Sequence, residues 1–206
     1  MNLSHYHLIK YTIFSIVLLA LYPNKLKAQS TDALDINNGY GQIKFNLSLK
    51  ELKRIIPLTK IKSETPNDEF YTVKNPNDFK AYGYNVEYVL LSFYKEALYQ
   101  IQIKIEDQTE PQVAGAVRFD ILRRVRESYG PPTIVDTSNR TQVIKKCRLQ
   151  FWSGKNVTLV QAWPWGEGNQ VKLTENGMRY FADTWYFINH ETSNRRTRET
   201  DKNTSF

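Results

Sequence analysis

The sequence predicts an α+β domain: a mainly antiparallel sheet of about seven to nine strands, with two helices, one short and one long, packed on one face. Three observations carry this. Leu98 to Glu106 alternates strictly between apolar and polar residues, the period of a strand with two unlike faces. Val113, Val117, Ile121, Leu122, Val125 and Tyr129 then recur at spacings of three and four, the period of an amphipathic helix. Beyond Gly130-Pro131-Pro132, which stops that helix, strand-like segments return and continue to Asn189.

The first 28 residues belong to none of these elements. His5, His7 and Lys10 precede an apolar run from Tyr11 to Tyr22, Pro23 closes it, and Leu26-Lys27-Ala28 places a small residue before Gln29. A basic start, a short apolar helix and a small-residue cleavage site are the parts of a secretory signal peptide. The apolar run is about a dozen residues, short of the roughly 20 that cross a bilayer. The reading is therefore a signal peptide over 1–28, no permanent membrane span after cleavage, and an exported protein, periplasmic or extracellular.

Residues 29–39 are polar and weakly patterned, and are expected to form a flexible lead-in. The domain is expected over 40–190, with possible halves at 40–107 and 108–190. Its first strand is read from Tyr40 to Leu47, where Ile43, Phe45 and Leu47 alternate with polar residues. Ser48-Leu49-Lys50-Glu51 then has the pattern of a capping box, in which the hydroxyl and the carboxylate satisfy each other's backbone amides. A short helix should start at Leu49, bury Leu49, Leu52 and Ile56, and end at Pro57. Pro66-Asn67-Asp68 and Pro76-Asn77-Asp78 are two turns bracketing a strand from Phe70 to Lys74.

The hairpin follows. Glu87 to Phe93 is densely apolar, Lys95 and Glu96 make the turn, and Leu98 to Glu106 returns. Alternation puts Tyr99, Ile101, Ile103 and Ile105 in the core and Gln100, Gln102, Lys104 and Glu106 on a solvated or partner-facing side. The long helix spans about 17 residues at the helical repeat. Its polar face mixes Arg118, Arg123, Arg124 and Arg126 with Asp120 and Glu127, a paired and solvated surface and not a phosphate site. Strands are then expected at Thr133 to Asp136, Gln142 to Trp152, Asn156 to Trp163, Gln170 to Thr174, and within Met178 to Asn189. From Glu191 onward only Phe206 is apolar, so 191–206 is expected to be a disordered tail.

Composition narrows the chemistry. The chain has 28 basic and 21 acidic residues. Without Lys10, Lys25 and Lys27 of the leader the count is 25 against 21, a mild surplus with no clustered basic footprint, so no nucleic acid is expected as a partner. Cys147 is the only cysteine, which excludes an intramolecular disulfide, and its strand-like surroundings suit an inert buried thiol. With His5 and His7 removed, His190 is the one remaining histidine. Triad chemistry and a closed zinc site are not expected, nor is any metal or cofactor. No phosphate-cradling glycine motif occurs. Glu167, Glu175 and Asp183 are the carboxylates that would serve a small hydrolase acting on envelope glycans.

Trp163-Pro164-Trp165-Gly166 sets two indoles about a stiff turn, with Glu167 next to it. Exposed aromatics in a rigid loop make good anchors, so Trp163, Trp165, Gly166 and Glu167 are the candidate binding residues; core packing at the end of a strand is the preferred reading for Trp163, and covering the sheet edge is an equal alternative for Trp165. The function expected from the sequence is a non-catalytic binding module of the cell envelope.

Gly41 to Leu52, Tyr88 to Ile105 and Ser128 to Pro132 also carry a resemblance. This rhythm of capped helix, hairpin and a helix closing on Ser-Tyr-Gly-Pro-Pro is similar to the helix-plus-meander halves of the outer-membrane assembly lipoprotein BamE and of β-lactamase inhibitor protein. The resemblance implies the fold and, through the inhibitor, a possible role in restraining another secreted protein. It carries over no functional residue, and the acylation cysteine of the lipoprotein is missing.

Overall fold

In the computed structural model, residues 32–63, 67–106, 108, 111–136, 147–164, 170–171, 180–181 and 184–204 are described. The leader expected over 1–28 lies outside them. The chain opens with a helix, α1 (Asp32–Asn37), inside the expected flexible lead-in. Leu34 is buried in the core, and Asp35 reaches residues more than a hundred positions away. Local pattern cannot reveal such a tie, which explains why the segment reads as a loop.

A hairpin of β1 (Gly39–Tyr40) and β2 (Ile43–Lys44) replaces the single strand expected from Tyr40 to Leu47. Gly39 has φ of 139°, and a Cβ there would lie 2.2 Å from the carbonyl oxygen of Ile43, so only glycine allows the turn to close. Ile43 and Phe45 still enter the core as alternation requires. Helix α2 (Leu49–Ile55) begins at the expected capping box: the Ser48 amide donates to Glu51 Oε2 at 2.8 Å, and the Glu51 amide donates to Ser48 Oγ at 3.3 Å. Leu52 and Ile56 are buried.

Strands β3 (Leu58–Ile61), β4 (Asp68–Val73), β5 (Lys80–Ala81), β6 (Tyr84–Tyr94) and β7 (Ala97–Ile105) follow, with a 3-10 turn at Pro76–Asp78. At the β6–β7 turn Lys95 and Glu96 have φ of 48° and 65°, the left-handed pair that matches the twist of a hairpin. Helix α3 (Pro111–Tyr129) buries Ile121, Val125 and Tyr129 and stops at Gly130, whose φ is 82° and whose amide donates back to Arg126 O at 2.8 Å. The second half of the chain supplies β8 (Thr133–Asp136), β9 (Cys147–Ser153), β10 (Val157–Pro164), β11 (Gln170–Val171), β12 (Tyr180–Phe181) and β13 (Thr184–Asn189). The chain is thus α+β with a mainly antiparallel sheet.

The main sheet runs β3-β4-β6-β7-β13-β10-β9-β8, with β5 paired to β6. Each half of this order is a helix followed by a meander: α2 leads into β3 at one edge, α3 into β8 at the other. The last strands of the two meanders, β7 and β13, pair antiparallel in the middle, with Ile101 opposite Phe187. One face carries the core, including Leu91, Ile103, Leu159, Trp152 and Trp185, under α1 and α3.

The opposite face departs from expectation. Gln100 and Gln102 are buried, and Gln102 donates to the hydroxyl of Tyr88 at 2.6 Å. Between Ser92 and Phe93 the register slips, because Ser92 faces Gln100 while Phe93 faces Leu98. Tyr99 is the extra residue of this bulge. Leu98 therefore joins Ile101 in the core, and Tyr99 turns to the other face, whereas simple alternation puts it in the core with the isoleucines.

What covers Tyr99 is a helix where a disordered tail is expected, α4 (His190–Thr204). Its polarity all round hides it from any periodicity reading, and ion pairs and docking hold it in place. Arg196 pairs with Asp68 of β4, lies over the Tyr99 ring at 5.3 Å, and is joined by Glu199, which accepts from the Tyr94 hydroxyl at 2.6 Å and pairs with Lys95. No helix among the described residues is long and apolar enough to cross a membrane.

Candidate functional site

The residues singled out in the sequence fall almost wholly outside the described residues. Trp163 lies on β10 opposite Arg148; its side chain, and all of Trp165, Gly166 and Glu167, lie outside the described residues. Glu175, Asp183 and the Cys147 side chain do too. The described residues build two other features, on opposite sides of α3.

The first is a cleft where the end of β7, the first half of α3, β10 and β13 meet. Along β10, Val157 and Leu159 face the core, and strand alternation gives the same direction to Gln161. It stands opposite Trp185 on one neighbour and Gln150 on the other. Gln161 is 2% exposed and Gln150 5%, and neither Oε1 has a hydrogen-bond partner among the described residues. A buried carbonyl oxygen left unpaired costs about 1–3 kcal/mol, so two in adjacent strands mark a place where the fold gives up stability. Gln161 lines a cavity of about 40 Å³ with Ile105, Ala114, Val117, Ile121 and Trp185, and Glu106, Gln108 and Arg118 complete the lining. The Trp185 indole is fixed between Trp152 and Tyr82, with ring centroids 6.1 Å away on each side. Glu106 is held by Asn85, whose Nδ2 donates to Oε2 at 2.9 Å.

The sequence did carry a signal for this site. In VTLVQAWP a glutamine falls on the face occupied by valine and leucine in a strand flanked by two others, and QFW repeats the pattern with Gln150 two residues before Trp152. A polar side chain on the buried face of a central strand is the informative kind of exception.

The second feature is the outward face of α3. Phe119 is 69% exposed and Val113 42%. Phe119, Leu122, Arg123, Arg126 and Glu127 line a groove of about 260 Å³. Arg123 pairs with Asp120 and Glu127, each at 2.5 Å, and Arg124 pairs with Asp120 at 2.8 Å, so these two arginines are paired as expected. Their guanidinium groups, with the Tyr84 hydroxyl, hold the Asp120 carboxyl down at about 2. Arg126 stands outside this network, a cation beside an exposed phenyl ring.

Comparison with models of known protein families, with curated proteins and with solved structures finds no match.

His190 has a definite environment, contrary to its expected place at the edge of a disordered tail. Its Nδ1 is 2.9 Å from the Lys155 carbonyl and its Nε2 is 2.6 Å from Thr158 Oγ1. The carbonyl can only accept, so Nδ1–H donates to it, and Nε2 shares a hydrogen bond with the Thr158 hydroxyl. Such a pair resembles a base and its nucleophile, but the backbone amides beside it are occupied: Lys155, Asn156 and Val157 all donate to Asp35, at 2.6, 2.7 and 2.9 Å. Burial pushes the Asp35 carboxyl up, and the three amides outweigh it and hold the group below its usual range. The cluster therefore acts as a clasp joining α1, the β9–β10 turn and α4. Among the described residues, no three His, Cys, Asp or Glu side chains gather as metal ligands.

Proposed function

We propose that this chain is a non-catalytic binding module of the cell envelope, exported by its leader, which takes a protein partner on the outward face of α3. The observation that carries the reading is Phe119: a large aromatic at 69% exposure, on a helix whose opposite side is locked into the core by Ile121 and Val125. Apolar groups presented on a rigid element mark interaction surfaces, and an aromatic beside an arginine is the usual make-up of a binding hot spot. The partner's chemistry follows from the rim. Among the described residues no carboxylate pairs with Arg126, so the matching segment carries an apolar side chain to cover Phe119 and an Asp or Glu to meet Arg126.

A photo-crosslinking residue at position 119, expressed in the source cells, tests this directly. The account expects a discrete adduct in the envelope fraction, mapping to an acidic segment of one protein, and none from the same probe at Lys74, an exposed residue that is not part of α3. An adduct to a second copy of this chain, or retention in the cytosol, would refute it.

A further inference from the structure

We propose that the cavity beneath the first half of α3 is a pocket for a small neutral amide group, about the size of an acetamido group, which donates its N–H to Gln161 Oε1 and lays its methyl against Trp185. The reasoning starts from the unpaired oxygen. Gln161 is almost wholly buried and its carbonyl oxygen has no donor among the described residues. A group that satisfies it must bring an N–H or O–H, because buried acceptors are paired in nearly all native structures.

The surroundings narrow that donor. Ile105, Val117, Ile121 and Trp185 give it apolar flanks, so it is attached to something greasy and not to a strongly hydrated group. The lining includes one carboxylate, Glu106, and one guanidinium, Arg118, which together favour neither a cation nor an anion. The cavity, about 40 Å³, exceeds the roughly 10–15 Å³ that one water needs and falls far short of a sugar or aromatic ring. A secondary amide bearing a methyl group combines a donor, an apolar end and zero charge in that space. Gln108, also in the lining, carries a side-chain amide that can meet its carbonyl.

Acetamido groups occur on N-acetylated sugars and on N-acetylated peptides, and the recognition chemistry is the same for both. Titrating the full mature chain with N-acetylglucosamine, N-acetylglycinamide, acetamide and, as control, glucose separates them. Tryptophan fluorescence and the side-chain amide resonances of Gln161 are the readouts. The acetamido compounds should give saturable shifts and glucose none, with the tighter of the sugar and the peptide naming the source. Gln161→Leu should weaken binding at least tenfold, and Ala114→Trp, at the cavity wall on α3, should block it while leaving the core strands untouched. Absence of a saturable shift in the wild type, or an unchanged titration in both variants, would overturn the proposal and leave a water site. Phe119 lies on the other side of α3, so Phe119→Ala should leave amide binding intact, and failure here is distinct from failure of the partner surface.

Discussion

Arg196 of α4 donates to the carboxylate of Asp68 at the start of β4 through Nε at 2.9 Å and through Nη2 at 2.8 Å, across 128 residues of sequence. Asp68 is buried, and the guanidinium also covers the Tyr99 ring. A two-pronged bond of this kind fixes both distance and angle, so it sets where α4 lies on the sheet.

Removing the cation should therefore cost more than an ordinary surface pair. Arg196→Leu takes the two-pronged guanidinium away from the buried Asp68 carboxylate and should destabilise by about 3–5 kcal/mol. Urea unfolding measures this. Adding Asp68→Asn to that variant should recover part of the loss, whereas Glu199→Gln, at a more exposed pair, should cost at most about 1 kcal/mol.

The clasp at Asp35 predicts a loss at a residue only seven positions past the expected cleavage point. Asp35→Ala strands three amides in the β9–β10 turn and should cost about 1.5–3 kcal/mol. The carboxyl is held below its ordinary 3.8, so its contribution is complete above that pH and fades as the pH falls through the lowered value. Wild type and variant should accordingly converge in stability under acid, which thermal melts across pH can follow.

At the alkaline end two tyrosines set the limit. Burial pushes Tyr99 up to about 12, with the Arg196 guanidinium pulling the other way, and burial likewise pushes Tyr40 up to about 12. A raised value means the fold favours the neutral phenol, so this stability is whole below the ordinary 10.0 and is lost as pH rises toward about 12. Tyrosinate absorbance should appear together with unfolding in that window, and Tyr99→Phe should move the transition to higher pH.

Gln161→Leu should leave stability unchanged or raise it, because it removes a buried acceptor that has no partner and keeps a similar volume. A destabilisation of more than about 2 kcal/mol would mean that Gln161 carries a structural bond in the folded chain.

The legible parts of this fold are those whose cause is local. The Ser48–Glu51 box, the Gly130 stop and the isoleucine ladder of β7 each act within a few residues, and each stands where the sequence puts it. The illegible parts depend on distant partners. Helix α1 is held by the β9–β10 turn, α4 by Asp68 and Tyr99, and the slip at Tyr99 by the register of two long strands. None of these leaves a periodic trace. For the site, the glutamine on an apolar face was visible in β10, but its significance depends on which strands flank it. Phe119 was hidden because the helical repeat that marks Ile121 and Val125 as buried says nothing about what the outer face presents.

The central claim is that Phe119 and Arg126 form one binding surface. The decisive measurement is the dissociation constant, by calorimetry, of the protein crosslinked at position 119 against wild type, Phe119→Ala and Arg126→Glu, each checked for an unchanged melting temperature. The account predicts that each substitution weakens binding by at least about tenfold, roughly 1.4 kcal/mol. Equal affinity for all three chains would contradict it.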